Sequence, residues 1–90
     1  MSVCAHLLIS GRVQGVFYRA TCASEARARG LLGWVRNLPD GNVEALLQGP
    51  KEKVEDMIRW CYRGPSEARV SKIDVAYREP DPALTDFRIR

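Results

Sequence analysis

A single histidine, His6, stands in the whole chain, inside an apolar run and several residues from the loop that follows it. A Ser–His–acid relay therefore has no evident base. No His, Cys, Asp and Glu residues group at metal-ligand spacing. There is no Gly-Lys-Ser/Thr segment, which excludes a Walker A loop. Cysteine is scarce: Cys4, Cys22 and Cys61 are odd in number and share no short spacing. They read as free thiols of a reducing cytoplasm, each acting as a small buried hydrophobe. No apolar run approaches the ~18 residues of a membrane span. The first residues lack the basic start of a secretory leader, so neither anchor nor signal peptide is expected. Internal repeats and low-complexity stretches are missing as well.

A strong charge bias is also absent. The net charge is +3. The first 45 residues carry five arginines against three acidic groups, and the last 45 carry nine basic residues against eight acidic ones. The excess is spread, with no basic tail. It mildly favours anionic ligands. It is a poor footprint for a nucleic-acid binder, which concentrates basic residues on one face.

What is present fits one domain over residues 1–90. Hydrophobic residues make up 46% of the chain, and a chain this small buries roughly 60% of its unfolded surface, enough for one modest core. Val3, Ala5, Leu7 and Ile9 alternate with Cys4, His6, Leu8 and Ser10, the pattern of a strand. A loop follows from Gly11, then a helix over Ala20 to Arg29 with small residues on one side and Gly30 as its C-cap. Leu32 to Leu38 and Asn42 to Gln48 read as two strands joined by the turn Pro39-Asp40-Gly41. Gly49-Pro50 opens a second helix with Pro50 at its first position. Its apolar stripe is Val54, Met57, Ile58 and Cys61, and Gly64-Pro65 stops it. Val70 to Tyr77 is a fourth strand, with Ile73, Val75 and Tyr77 expected inward. Phe87 and Ile89 suggest a short closing strand. This order is an α+β, split βαβ, ferredoxin-like sandwich. Two helices should pack on one face of a four- to five-stranded antiparallel sheet. That architecture hosts many activities, so the site must decide the function.

The chemistry concentrates in Gly11-Arg12-Val13-Gln14-Gly15-Val16-Phe17-Tyr18-Arg19. It is a strand-to-helix connection with two glycines and an arginine at its exit. Glycines let backbone N–H groups turn inward as an anion nest. The next helix adds its unpaired first-turn amides and the positive end of its dipole. The planar fork of Arg19 suits two oxygens of one phosphate. A tyrosine-phosphatase loop would need cysteine where Val13 stands. So the phosphate site lacks a nucleophile, a metal and an obvious general base.

The leaving group decides which phosphate chemistry tolerates that. A monoester expels an alkoxide and needs an acid or a metal. An acyl phosphate expels a carboxylate, whose conjugate acid has a pKa of roughly 4, and needs no proton at neutral pH. Phosphoryl transfer is loose, with charge on the equatorial oxygens, so positioning and electrostatics suffice. One neutral side chain to place the water completes the set. Asn37 is the candidate, although asparagine before Pro-Asp-Gly is also ordinary turn chemistry. The bland readings of the other residues are packing and solvation. Phe17 and Tyr18 read as core residues anchoring the loop, Trp34 and Trp60 as packing, and Arg12, Arg27, Arg29 and Arg36 as solvated.

The nine residues Gly11 to Arg19, followed by Gly33-Trp34-Val35-Arg36-Asn37 and Gly49-Pro50, resemble the acylphosphatase family in order over almost the whole chain. The resemblance implies hydrolysis of small acyl phosphates to carboxylate and phosphate, without metal or cofactor. It places phosphate binding on Arg19 and on the loop amides of Gln14, Gly15, Val16, Phe17 and Tyr18. It makes Asn37 the residue that orients the attacking water, with the substrate's own phosphate taking the proton. Inorganic phosphate or sulfate is expected to fit the same site. A cytoplasmic monomer is expected, with no nucleic-acid or membrane partner. Two departures stand out: Leu38 follows Asn37 where some members have a supporting Thr, and the terminal tyrosine of some members is missing. In those members the C-terminal carboxylate helps position the arginine. The rivals are a non-catalytic anion- or RNA-binding module and a module of a larger carbamoyl-transfer protein.

Overall fold

A computed structural model describes residues 2–90. The chain runs β1 (Ser2–Arg12), α1 (Tyr18–Ala28), β2 (Leu32–Asn37), β3 (Val43–Pro50), α2 (Lys51–Arg63), β4 (Arg69–Arg78) and β5 (Phe87–Ile89). The five strands form one sheet in the order β4-β1-β3-β2-β5. β1 pairs antiparallel with β3 and β4, and β2 pairs antiparallel with β3. β5 lies parallel to β2, with Gly33 opposite Phe87. The sheet is therefore mixed, and the antiparallel expectation holds for four strands only. The chain approaches β5 through the 79–86 segment, where Gln48 exchanges hydrogen bonds with the backbone of Asp81 at 3.0 and 2.7 Å.

Both helices pack on one face. The core joins Ala5, Leu7 and Ile9 of β1 and Val43, Ala45 and Leu47 of β3 to Cys22, Ala23 and Ala26 of α1 and Val54, Met57 and Cys61 of α2. Alanines at the buried positions of α1 let the helix approach the sheet closely. Burying a side chain such as Val54 or Met57 contributes about 1.5–3 kcal/mol. α1 ends in a Schellman motif, with Leu31 N–H on Ala26 O and Gly30 N–H on Arg27 O, both at 3.0 Å. In α2, Pro50 is the N-cap and Lys51 the first helical residue, one position later than the proline rule suggests.

Two expectations about exposure change. On β4 only Ile73 is buried, while Val75 and Tyr77 are 38% and 56% exposed. They share the face of Ile73, opposite Leu7 and Ala5, but β4 is an edge strand and its helical cover ends at Ile73. Arg27 and Arg29 are not free in solvent. Arg27 donates twice to Phe87 O, at 3.1 and 2.9 Å, and so pins β5. Arg29 bridges the helices through Glu25 at 2.8 Å and Asp56 at 2.7 Å. The three cysteines are buried free thiols.

Candidate active site

The loop begins with a bulge. Pairing of β1 with β4 shifts register between Ser10 and Gly11. Gly11 has φ +125°, and a Cβ there would lie 2.1 Å from Arg69 O. Glycine is needed because the two backbones touch, and Gly11 is a strand residue rather than part of the anion nest. From Val13 the side chains alternate. Val13, Val16 and Tyr18 are buried, while Gly15 and Phe17 face outward. Gly15 and Phe17 both lie in the left-handed region, at φ +74° and +62°, with Val16 between them at negative φ. Alternation of this kind is the backbone of an anion nest.

The expectation that Phe17 anchors the core fails: its side chain is 81% exposed. The left-handed φ at the N-cap turns it out while Val16 and Tyr18 turn in. Tyr18 is the anchor. Its hydroxyl donates to Cys61 O, and its ring lies 5.7 Å from Trp60. Burial, with the neighbouring thiols Cys61 and Cys22 adding to it, pushes the phenol well above its ordinary value. Tyr18 therefore stays protonated and supplies no acid–base chemistry.

The start of α1 is bare. Its N-cap makes no side-chain bond and its first turn holds no acidic residue. The first paired amide is that of Thr21, on Phe17 O at 3.1 Å. The amides before it are the helix's unsatisfied donors. Arg19 sits in this turn, half-buried. Among the described residues no carboxylate lies within 4.0 Å of its guanidinium. Asn37 ends β2, opposite Val43. A cleft of about 330 Å³ is lined by Val13, Gly15, Phe17, Tyr18, Arg19, Ala20, Asn37 and Ile89. Arg19 and Asn37 thus face one cavity from different elements. Ile89, 45% exposed, closes the wall from β5, a contribution that no local pattern signals.

Gln14 and Val16 lie beside the cleft rather than on its wall. Val16 packs into the core, 5% exposed. The Gln14 side chain turns away to the β2–β3 hairpin, where Nε2 donates to Leu38 O at 2.8 Å and Asn42 O at 2.9 Å. The backbone N–H of Arg90 is on Val35 O at 2.8 Å, and its guanidinium lies 4.7 Å from the Trp34 ring centre. No ion pair joins Arg90 to Arg19 among the described residues.

A second polar cluster lies on the sheet face without helices. Glu44 accepts from His6 Nε2 at 2.6 Å and from Arg36 Nε. Burial pushes the Glu44 carboxyl up, but the hydrogen bonds from His6 and Arg36 outweigh it and hold it below the ordinary value. Arg36 also lies over Trp34 at 5.4 Å. An acidic residue paired at the middle of this face, with Trp34 already flanked by arginines, is unlike a base-stacking platform for RNA.

A family model described as Acylphosphatase matches residues 5–89. The chain belongs to the acylphosphatase family. An acylphosphatase of Natronomonas pharaonis is 52% identical over 86 residues, covering 96% of this chain and 92% of its own. The structure of an acylphosphatase from Coxiella burnetii superposes with a TM-score of 0.94 at 35% identity, over 99% of this chain and 93% of that one. A full-length HypF in its phosphate- and nucleotide-bound form contains a similar unit, with a TM-score of 0.87 and 25% identity, spanning 100% of this chain but 12% of that protein. The Natronomonas and Coxiella proteins, each spanned almost wholly by this chain, are acylphosphatases. The activity is that of an acylphosphatase, a hydrolase of the carboxyl–phosphate bond, and the ferredoxin-like fold is the family's.

Proposed function

We propose that Arg19 and the backbone amides of Gln14 to Tyr18 hold the phosphate of a small acyl phosphate while Asn37 places the attacking water. Water oxygen bonds to phosphorus as the bond from phosphorus to the carboxyl oxygen breaks. The carboxylate leaves with the bonding pair, and both water hydrogens end on the phosphate, which takes the proton itself. No covalent intermediate forms. The carboxylate is a good enough leaving group to need no general acid, and the charge that builds on the equatorial oxygens is met by the guanidinium and the bare helix amides. No metal or cofactor is needed for such a departure.

The observation that carries this reading is the shared cleft of Arg19 and Asn37. A guanidinium with no carboxylate partner among the described residues supports the anion end, and an amide with both donor and acceptor supports the water. Residues 1–90 act as one domain in this proposal, a cytoplasmic monomer whose three thiols stay reduced. Lys72 and Asp74 on the exposed edge strand β4, 3.6 Å apart, are charges that discourage edge-to-edge pairing. Inorganic phosphate or sulfate fits the same cradle as product or mimic.

The test is hydrolysis of benzoyl phosphate in heavy-oxygen water, read by mass spectrometry of both products. Label in the phosphate alone is the expected result. Label in the benzoate would mean attack at the acyl carbon and would overturn the reading. Phosphate inhibition of the Asn37→Ala protein, expected to equal that of the unaltered chain, checks that asparagine serves the water and not the anion.

A further inference from the structure

We infer that the Gln14 side chain is a positioning residue for Asn37, an inference that rests on the water-placing role just proposed. Both donors of a single amide nitrogen are spent on one hairpin, at 2.8 Å on Leu38 O and 2.9 Å on Asn42 O. Leu38 directly follows Asn37. Its own N–H closes the hairpin on Asn42 O at 2.8 Å. So Gln14 grips the two backbone oxygens at the point where β2 hands over to the turn. On its other side Gln14 sits between buried Val13 and Gly15, within the loop that leads to Arg19.

The topology shows why such a clamp matters. β3 lies between β1 and β2, so the loop after β1 and the end of β2 are not neighbours in the ladder. The turn residues Pro39, Asp40 and Gly41 are exposed, so the hairpin tip is held by its own hydrogen bonds and by those from Gln14. Leu38 has no polar side-chain atom with which to support the asparagine. Gln14 ties the phosphate loop straight to the hairpin and fixes the distance between Arg19 and Asn37. Positioned groups lose much of their effect when displaced by about 1 Å.

The experiment measures kcat and KM for benzoyl phosphate, and inhibition by inorganic phosphate, for Gln14→Met and Gln14→Glu. Methionine keeps the length without donors, and glutamate turns acceptors toward the two carbonyl oxygens. The same substitutions are repeated on Asn37→Ala. We expect kcat to fall about 10- to 100-fold with phosphate inhibition little changed. On Asn37→Ala the added loss should be under about 2-fold, because two groups that act as a unit are not additive. An unchanged kcat, even with a lowered Tm, would overturn the inference. So would an equal loss in both backgrounds, or a loss of phosphate affinity, which would make Gln14 part of the anion cradle only. Normal turnover by Asn37→Ala would remove the water-placing reading, and this inference with it, whatever the Gln14 variants do alone.

Discussion

Tyr18→Phe separates the architecture of the loop between β1 and α1 from the chemistry proposed for it. The substitution removes one oxygen and leaves the ring, which is 1% exposed. The lost hydroxyl donates to Cys61 O, a carbonyl in the last turn of α2. The residue four positions on is Pro65, which has no N–H, so the helix cannot satisfy this oxygen by its own ladder. Leaving a buried acceptor without its donor costs about 1–3 kcal/mol. In a domain of this size each kcal/mol moves Tm by about 4–8 °C, so a fall of roughly 4–24 °C follows. The hydroxyl points away from the cleft, and kcat for benzoyl phosphate, taken well below the transition, should stay within about 2-fold. Circular dichroism melts beside the kinetic assay give both numbers. An unchanged Tm would refute the orphan-carbonyl reasoning. A large fall in kcat at unchanged Tm would move Tyr18 from the anchor to the reaction.

Phe17→Asn keeps a residue type that tolerates left-handed φ while removing the exposed ring at the cleft wall. The KM for benzoyl phosphate should rise about 5-fold, the equivalent of about 1 kcal/mol of apolar contact, with acetyl phosphate unaffected. Equal shifts for both substrates would refute a contact with the acyl group. Gly11→Ala drives a Cβ to 2.1 Å from Arg69 O and should cost about 2–3 kcal/mol in a urea melt; an unchanged midpoint would show that the bulge yields freely. Glu44 has a depressed folded-state pKa, so its stabilisation is present above the unfolded value of about 4.3 and is lost as pH falls through the folded one. The Tm gap between the unaltered protein and Glu44→Gln should therefore be widest near neutrality and close in acid. A gap that grew in acid would reverse that sign.

The seven elements follow from hydrophobic period and punctuation. Alternation marked β1 and β3, and Gly30, Pro39-Asp40-Gly41 and Gly64-Pro65 marked where elements end. What stayed hidden depends on tertiary cover. Three residues of β5 carry no signal of strand direction, and Phe87 to Ile89 lie parallel to β2 because the 79–86 segment brings them back along the sheet. Val75 and Tyr77 keep the inward alternation but lack a helix above them. Phe17 is apolar and reads as core, yet a positive φ at a non-glycine N-cap, invisible to hydropathy, turns it out. Arg19 and the loop stand together in the chain, and their residue types read as a candidate anion site. Asn37 does not stand out from its neighbours alone, since Pro-Asp-Gly explains an asparagine equally well; only the resemblance of the second motif makes it a candidate. The Gln14 clamp joins residues that only the folded hairpin brings close.

The most direct test of phosphate held by Arg19 and water placed by Asn37 is benzoyl phosphate turnover in excess chelator by the unaltered protein, Arg19→Ala and Asn37→Ala. The prediction is chelator-resistant hydrolysis that disappears in Arg19→Ala and falls about 10²- to 10³-fold in Asn37→Ala, the scale of one lost positioned group. Hydrolysis abolished by chelator, or an Asn37→Ala protein that turns over like its parent, would contradict it.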